Sequence, residues 1–198
     1  MNTILATGAH FDDVEVGVGG TLLKHIKKGD KVYIAIVESD EYRTGEPIFR
    51  LKEQKEVLKL LGLDGTRLLL FTSKHSENDI IFDLDRLKPD IVYTPYEKDT
   101  HQAHRRCSEI AQSVGRKKNI TTIFYYCGSS IEFSPNMFSM IDFKKKMELI
   151  KCHKSQIERG SLKLSLRERM ESYWASLVSL DENAYAEGLI VRKMIYDV

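Results

Sequence analysis

The sequence predicts an α/β fold: a Rossmann-like three-layer sandwich with a mostly parallel central sheet and a site at the carboxyl ends of its strands. Three observations carry this. Runs of β-branched and aromatic residues recur along the chain, and stretches with apolar residues at i, i+3 and i+4 lie between them. The first strand-like run ends in a turn dense with histidine and aspartate. Strands alternating with helices imply right-handed crossovers and helices on both faces, and such folds keep their chemistry where the strands end.

In chain order, residues 3–7 (TILAT) form the first strand. A helix over 19–28 opens on Gly19 and Gly20, which with Gly17 let it pack close to the sheet, and Gly29-Asp30 stops it. Residues 31–37 read as a strand, 48–61 as a helix ended by Gly62, 66–71 as a strand and 78–87 as a helix. A strand at 91–94, a helix at 101–116 and a strand at 121–126 complete the sandwich. The remainder reads as helices over 143–157 and 166–178 and a short strand over 189–195. Polar loops at 38–47 and 128–135 are expected to flank the site, because loops at strand ends carry most specificity.

Composition narrows the function. The 198 residues suit one domain, 1–198, that buries roughly 70% of its unfolded surface. Thirty Lys and Arg against 29 Asp and Glu leave a net charge of +1, which gives no reason to propose nucleic acid or an anionic membrane as a partner. Cys107, Cys127 and Cys152 are odd in number and lack CxxC spacing, so neither a disulfide framework nor a cysteine zinc site is expected. With no basic region before the first apolar run, no secretory leader and a cytoplasmic location are the expectation.

The chemistry lies in two motifs. Gly8-Ala9-His10-Phe11-Asp12-Asp13-Val14-Glu15 crosses a strand-to-helix turn, so His10 and Asp13 converge on one cation while Asp12 points elsewhere. Asp99-Thr100-His101-Gln102-Ala103-His104 follows the strand at 91–94 and sets two imidazoles three residues apart at a helix start. A catalytic zinc takes three protein ligands and leaves one position to water. A His, Asp, His set satisfies this and frees one carboxylate and one imidazole to move protons. Two histidines and a carboxylate equally suit non-haem iron. Gly17-Val18-Gly19-Gly20 lacks the spacing of a dinucleotide fingerprint. His25 and His75 read as surface residues, His153 as structural or at the rim, and Lys144-Lys145-Lys146 as a solvated run.

These motifs resemble those of the PIG-L/LmbE-like family of zinc-dependent N-acetylglucosaminyl deacetylases. The opening is similar to the family's A-H-P-D-D, and Asp99 to His104 to its D-x-H-x-D-H. Arg50-Leu51-Lys52-Glu53 is similar to its R-x-x-E helix, Ser155-Gln156 to its S-Q segment, and Tyr185-Ala186-Glu187-Gly188 to its Y-A-E end. The resemblance implies that His10, Asp13 and His104 bind Zn2+, and that Asp12 is the general base. It also implies that His101 stabilises the tetrahedral intermediate or protonates the leaving amine, and that Arg50 contacts substrate or acetate. The implied substrate is an N-acetylglucosamine-type sugar, free or conjugated, with another acylated amine or a decayed sugar-binding site as alternatives. A homo-oligomer is the implied assembly. Two departures stand out: Phe11 replaces proline, and Ala103 replaces an aspartate able to orient an imidazole, a loss worth about ten- to a hundredfold in metal affinity or activity.

Overall fold

The computed structural model describes residues 1–40, 47–116 and 119–194. Seven strands form one sheet: β1 (Thr3–Gly8), β2 (Lys31–Ile36), β3 (Leu68–Leu70), β4 (Ile91–Pro95), β5 (Thr121–Tyr125), β6 (Met137–Met140) and β7 (Ala186–Lys193). Their order is β3-β2-β1-β4-β5-β7-β6. The first five are parallel, and β7 and β6 add an antiparallel edge. The helices are α1 (Asp13–Lys28), α2 (Pro47–Leu61), α3 (Glu77–Arg86), α4 (Gln102–Gly115), α5 (Phe143–Ile150), α6 (Lys154–Glu158) and α7 (Leu164–Ser176).

Period-two alternation divides the core between the two sheet faces. Ile4, Ala6, Val32, Ile34 and Ile36 face one cluster with Val14, Val18 and Leu22 of α1 and Val57, Leu58 and Leu61 of α2. Leu5, Ala35 and Val92 face the other, against Ile80 and Leu84 of α3 and Cys107, Ile110 and Val114 of α4. The predicted three-layer sandwich is thus the architecture found. From β1 the chain winds out through β2 to β3, then returns to β4 on the other side of β1. The strand order therefore reverses between β1 and β4, and a crevice at their carboxyl ends follows from the topology.

The first helix begins earlier than the sequence suggests. The glycine cluster hid its first turn and a half, since glycine disfavours helix. The backbone breaks at Val18 (φ −139°, ψ 15°), and the N–H groups of Gly20 and Thr21 donate to Glu187 at 2.8 Å each. Close packing explains the glycines: a Cβ on Gly17 would lie 2.1 Å from the Tyr125 ring.

Other departures have local causes. The predicted helix over 143–157 is interrupted before Lys154, with the buried His153 as N-cap of α6. The strand at 189–195 begins at Ala186, and residue 195 lies outside the described residues. Strand β6 carries no β-branched residue and went unpredicted. Lys146 is fully buried rather than solvated, with Nζ 2.6 Å from Glu171 and 2.7 Å from Glu187. His25 is tied to Asp30 at 2.8 Å and to the Tyr93 hydroxyl at 2.9 Å, so it is structural rather than a free surface residue.

The Lys146 cluster gives stability a pH dependence. Burial and the neighbouring Glu187 raise the Glu171 carboxyl from 4.5 to about 7, against the pull of Lys146. The folded chain therefore holds a proton that the unfolded chain releases near 4.5, and folding is disfavoured progressively as pH rises from about 4.5 to about 7. Glu171→Gln is expected to flatten this part of the Tm-against-pH curve, with Lys146 still paired to Glu187. Thermal denaturation of both proteins across that range checks it, and parallel curves would refute the assignment.

Candidate metal centre

The crevice between β1 and β4 opens into a pocket of about 560 Å³ lined by all six predicted site residues: His10, Asp12, Asp13, Arg50, His101 and His104. The turn after β1 brings His10 to the edge of the sheet, and the Asp13 carboxylate accepts the His10 N–H at 2.8 Å, which fixes the turn. Asp12 between them has φ 99°, a left-handed conformation that aspartate tolerates better than most side chains. That twist separates the two carboxylates.

Asp13 lies between two imidazoles. Its Oδ2 is 3.6 Å from His10 Nδ1, and its Oδ1 is 3.4 Å from His104 Nε2. Donor atoms of His10, Asp13 and His104 all fall within 4.8 Å of one another. Zinc bonds of about 2.0–2.2 Å imply tetrahedral edges of about 3.3–3.6 Å, and the two Asp13–imidazole separations lie in that range, each through a different carboxylate oxygen. A second grouping, Asp99, His104 and Cys127, is wholly buried. It suits catalysis less well, because a catalytic ion keeps one position open to water, and burial raises the Cys127 thiol to about 12.

The two adjacent carboxyls are driven in opposite directions. Burial opposes ionisation of Asp13, but the charge of His104 and hydrogen bonds from both histidines outweigh it and hold this carboxyl well below the usual range. Asp12 is pushed up to about 6 by burial and then by the Asp13 charge, with Arg50, His153 and His10 pulling it partly back. The two neighbouring carboxyls thus differ sharply in proton affinity.

Arg50 is buried on α2 and donates to the Phe11 carbonyl and to Asp12 Oδ1, the latter at 3.0 Å. It therefore positions Asp12 as well as lining the pocket. Phe11 itself packs in the apolar cluster beneath the site. His101 is the N-cap of α4, and its Nδ1 accepts the Ala103 N–H at 3.2 Å. The proton of the neutral ring then resides on Nε2. Its ring stacks on His104 at 4.7 Å.

The residue that the sequence reading left without a role is Asp99. Its Oδ2 lies 3.2 Å from His104 Nδ1, and its carboxylate also accepts the His101 N–H at 2.8 Å and the Ser130 hydroxyl at 3.0 Å. Although burial opposes it, contacts with His104, Ser129 and the His101 amide keep Asp99 acidic. Asp99 supplies His104 with an orienting carboxylate from five residues upstream. The clue was in the sequence, at the head of the second motif. Asp99→Asn is expected to weaken zinc binding by about ten- to a hundredfold, measured by competition with a chromogenic chelator. Wild-type affinity would remove this role.

The other motifs converge on the same supports. Glu53, on α2 with Arg50, accepts the Ser155 N–H and hydroxyl at 2.7 Å each. Glu15 accepts from Gln54 at 2.9 Å and meets His153 Nε2 at 3.1 Å, which makes His153 structural. Glu187 of the Y-A-E-G segment holds the broken α1. Of the predicted flanking loops, Gly128 and Ser129 line the pocket and Ser129 lies 3.2 Å from His104 Nδ1. The other loop lies outside the described residues over 41–46.

Comparison with known proteins agrees with this convergence. Residues 5–114 match the PIG-L family, described as GlcNAc-PI de-N-acetylase. The chain belongs to the PIG-L family. An Escherichia coli K12 relative named as an uncharacterized deacetylase, YaiS, is 31% identical over 169 residues, covering 77% of this chain and 90% of that protein. Two solved structures share this fold. A 4-carboxy-2-hydroxymuconate hydratase from Pseudomonas putida KT2440 is 18% identical at a TM-score of 0.79, covering 100% of this chain and 99% of that one. An N,N'-diacetylchitobiose deacetylase from Pyrococcus horikoshii is 21% identical at 0.67, covering 96% and 83%. At these identities the likeness establishes the fold alone, so chemistry must come from the site. Among the described residues no helix is long and apolar enough to cross a membrane.

Proposed function

We propose that this chain is a zinc-dependent N-deacetylase that removes the acetyl group from an N-acetylglucosamine-type sugar. The observation that carries it is the pair Asp12 and Asp13: one anionic between two imidazoles at ligand spacing, the other held aside by Arg50 with its carboxyl near 6. Family membership and the deacetylase name of the E. coli relative support the reaction class.

His10, Asp13 and His104 would hold the ion. When bound, zinc supplies a Lewis acid and lowers the pKa of water from 15.7 to about 7. Asp12 takes the proton as the water oxygen attacks the acetamido carbon, and Arg50 keeps its carboxylate aimed through that transfer. His101 would present its Nε2–H to the oxyanion as a hydrogen-bond donor, and the proton taken by Asp12 would pass to the departing nitrogen. Asp99 holds His104 in the tautomer that turns Nε2 toward Asp13. Collapse breaks the C–N bond, the nitrogen receives a proton, and acetate and a free amino sugar result. The whole chain 1–198 would act as one catalytic unit in a reducing, cytoplasmic setting, which suits its three free cysteines.

The test is acetate release from N-acetylglucosamine, its glycosides, its nucleotide conjugate and chitobiose, with and without chelator. Chelator-sensitive release is expected. A protein that retains one tightly bound zinc yet cleaves none of these would overturn the sugar and direct the search to other acylated amines.

A further inference from the structure

Gln156 of α6 lines the catalytic pocket with 4% of its surface exposed. Its amide is fixed at one end. Ser155 donates its single hydroxyl proton to Glu53 Oε2 at 2.7 Å, so toward Gln156 the Ser155 oxygen can only accept. The Gln156 atom 3.1 Å from that oxygen is therefore Nε2, which donates. This chain of bonds sets the flip of the amide and leaves Oε1 over. Among the described residues Oε1 accepts no hydrogen bond, and it stays in contact with solvent.

The anchor lies on the side of the pocket that holds Asp12. Glu53 follows Arg50 by three residues on α2, so the two share one face of that helix, and Arg50 bonds Asp12. Glu53 also accepts the Ser155 N–H at 2.7 Å, which docks the start of α6 on α2. The amide is thus tied to the helix that positions the proposed base. Asp12 and Asp13, the carboxylates of the pocket lining, are engaged at the metal centre, so Oε1 offers the pocket an acceptor without charge. An amide oxygen held by supporting bonds in a mostly buried side chain is preorganised for a donor that arrives from the pocket.

We propose that Gln156 is a substrate-positioning residue whose Oε1 accepts a hydrogen bond from a ring hydroxyl of the acetylated sugar. The inference rests on the deacetylase reading and specifies how its substrate is held. The acetamido nitrogen is a poorer partner, because it must gain a proton when the C–N bond breaks. A ring hydroxyl undergoes no change of bonding. Its contact with Gln156 can persist from binding into the transition state and hold the acetamido carbon against the metal centre.

The test is a double-mutant cycle between protein and substrate. It compares kcat/KM for the methyl glycoside of N-acetylglucosamine and for its 3-deoxy, 4-deoxy and 6-deoxy forms, in the wild type and in Gln156→Met, which keeps length and bulk but removes the acceptor. In the wild type one deoxy form is expected to fall below the parent by about three- to tenfold, the size of one neutral hydrogen bond. In Gln156→Met that form and the parent should be turned over alike, while the other two keep their wild-type ratios. Ser155→Ala, which unpins the amide, is expected to shrink the same ratio and serves where Gln156→Met does not fold. A wild type indifferent to every hydroxyl, or a ratio that survives these substitutions, overturns the proposal, since a merely structural role would lower all four substrates together. If none is cleaved, the deacetylase reading fails separately, and calorimetric binding of the four glycosides decides the role of Gln156. One deoxy form bound more weakly by the wild type but not by the variant supports it, and uniform binding refutes it.

Discussion

Asp12→Asn is expected to lower kcat by about 10²–10⁴, the usual contribution of a general base, while zinc content stays at the wild-type level. Asparagine is the right replacement for two reasons. Asp12 sits at φ 99°, which asparagine tolerates but alanine does not, so alanine would mix backbone strain with lost chemistry. The amide oxygen can still accept from Arg50, which preserves the 3.0 Å contact that aims this side chain. What disappears is the ability to take a proton. Burial and the Asp13 charge raise the Asp12 carboxyl above the usual carboxylate range, which makes it the more basic of the two and suits it to accept a proton. The loss should therefore appear in kcat rather than KM. Steady-state acetate release alongside metal analysis checks it, and a near wild-type rate with zinc retained would remove Asp12 from the base role.

Much of this site is legible in the sequence because its residues come in local pairs. His10 and Asp13 share one turn, and His101 and His104 one helix start, so spacing alone brings each pair together. Parallel topology then sets the two turns side by side, since β1 and β4 are neighbours at the point where the strand order reverses. The supports were less legible because they are long-range. Nothing near Glu187 shows that it must receive two amides freed by a break at Val18, and nothing near His153 shows that Glu15 awaits it across 138 residues. Lys146 reads as solvated from its lysine neighbours, but α7 and β7 supply the two carboxylates that make its burial tolerable. The first turns of α1 went unseen for the same reason: glycine propensity argues against helix, and only contact with Tyr125 and Glu187 explains why the glycines are needed.

His104→Ala should have the second large effect, losing zinc and turnover together, and the comparison with its neighbours makes the result diagnostic. The ring has two jobs. Nε2 faces Asp13, where the proposed ion would bind, and Nδ1 meets Asp99, so alanine removes one donor from the set and leaves Asp99 with the His101 amide and the Ser129 and Ser130 hydroxyls. Metal affinity should fall by more than the about ten- to a hundredfold expected for Asp99→Asn, which leaves all three ligands in place. Excess zinc should therefore restore activity to Asp99→Asn but not to His104→Ala, and should do nothing for Asp12→Asn, which never lost the ion. His10→Ala should behave as His104→Ala does, without disturbing Asp99, which separates ligand loss from damage to the Asp99 network. Metal analysis after dialysis, with acetate release measured over a zinc titration, resolves the roles of ligand, orienting carboxylate and base. Full zinc occupancy in His104→Ala would move the ion to another donor set and take the proposed mechanism with it.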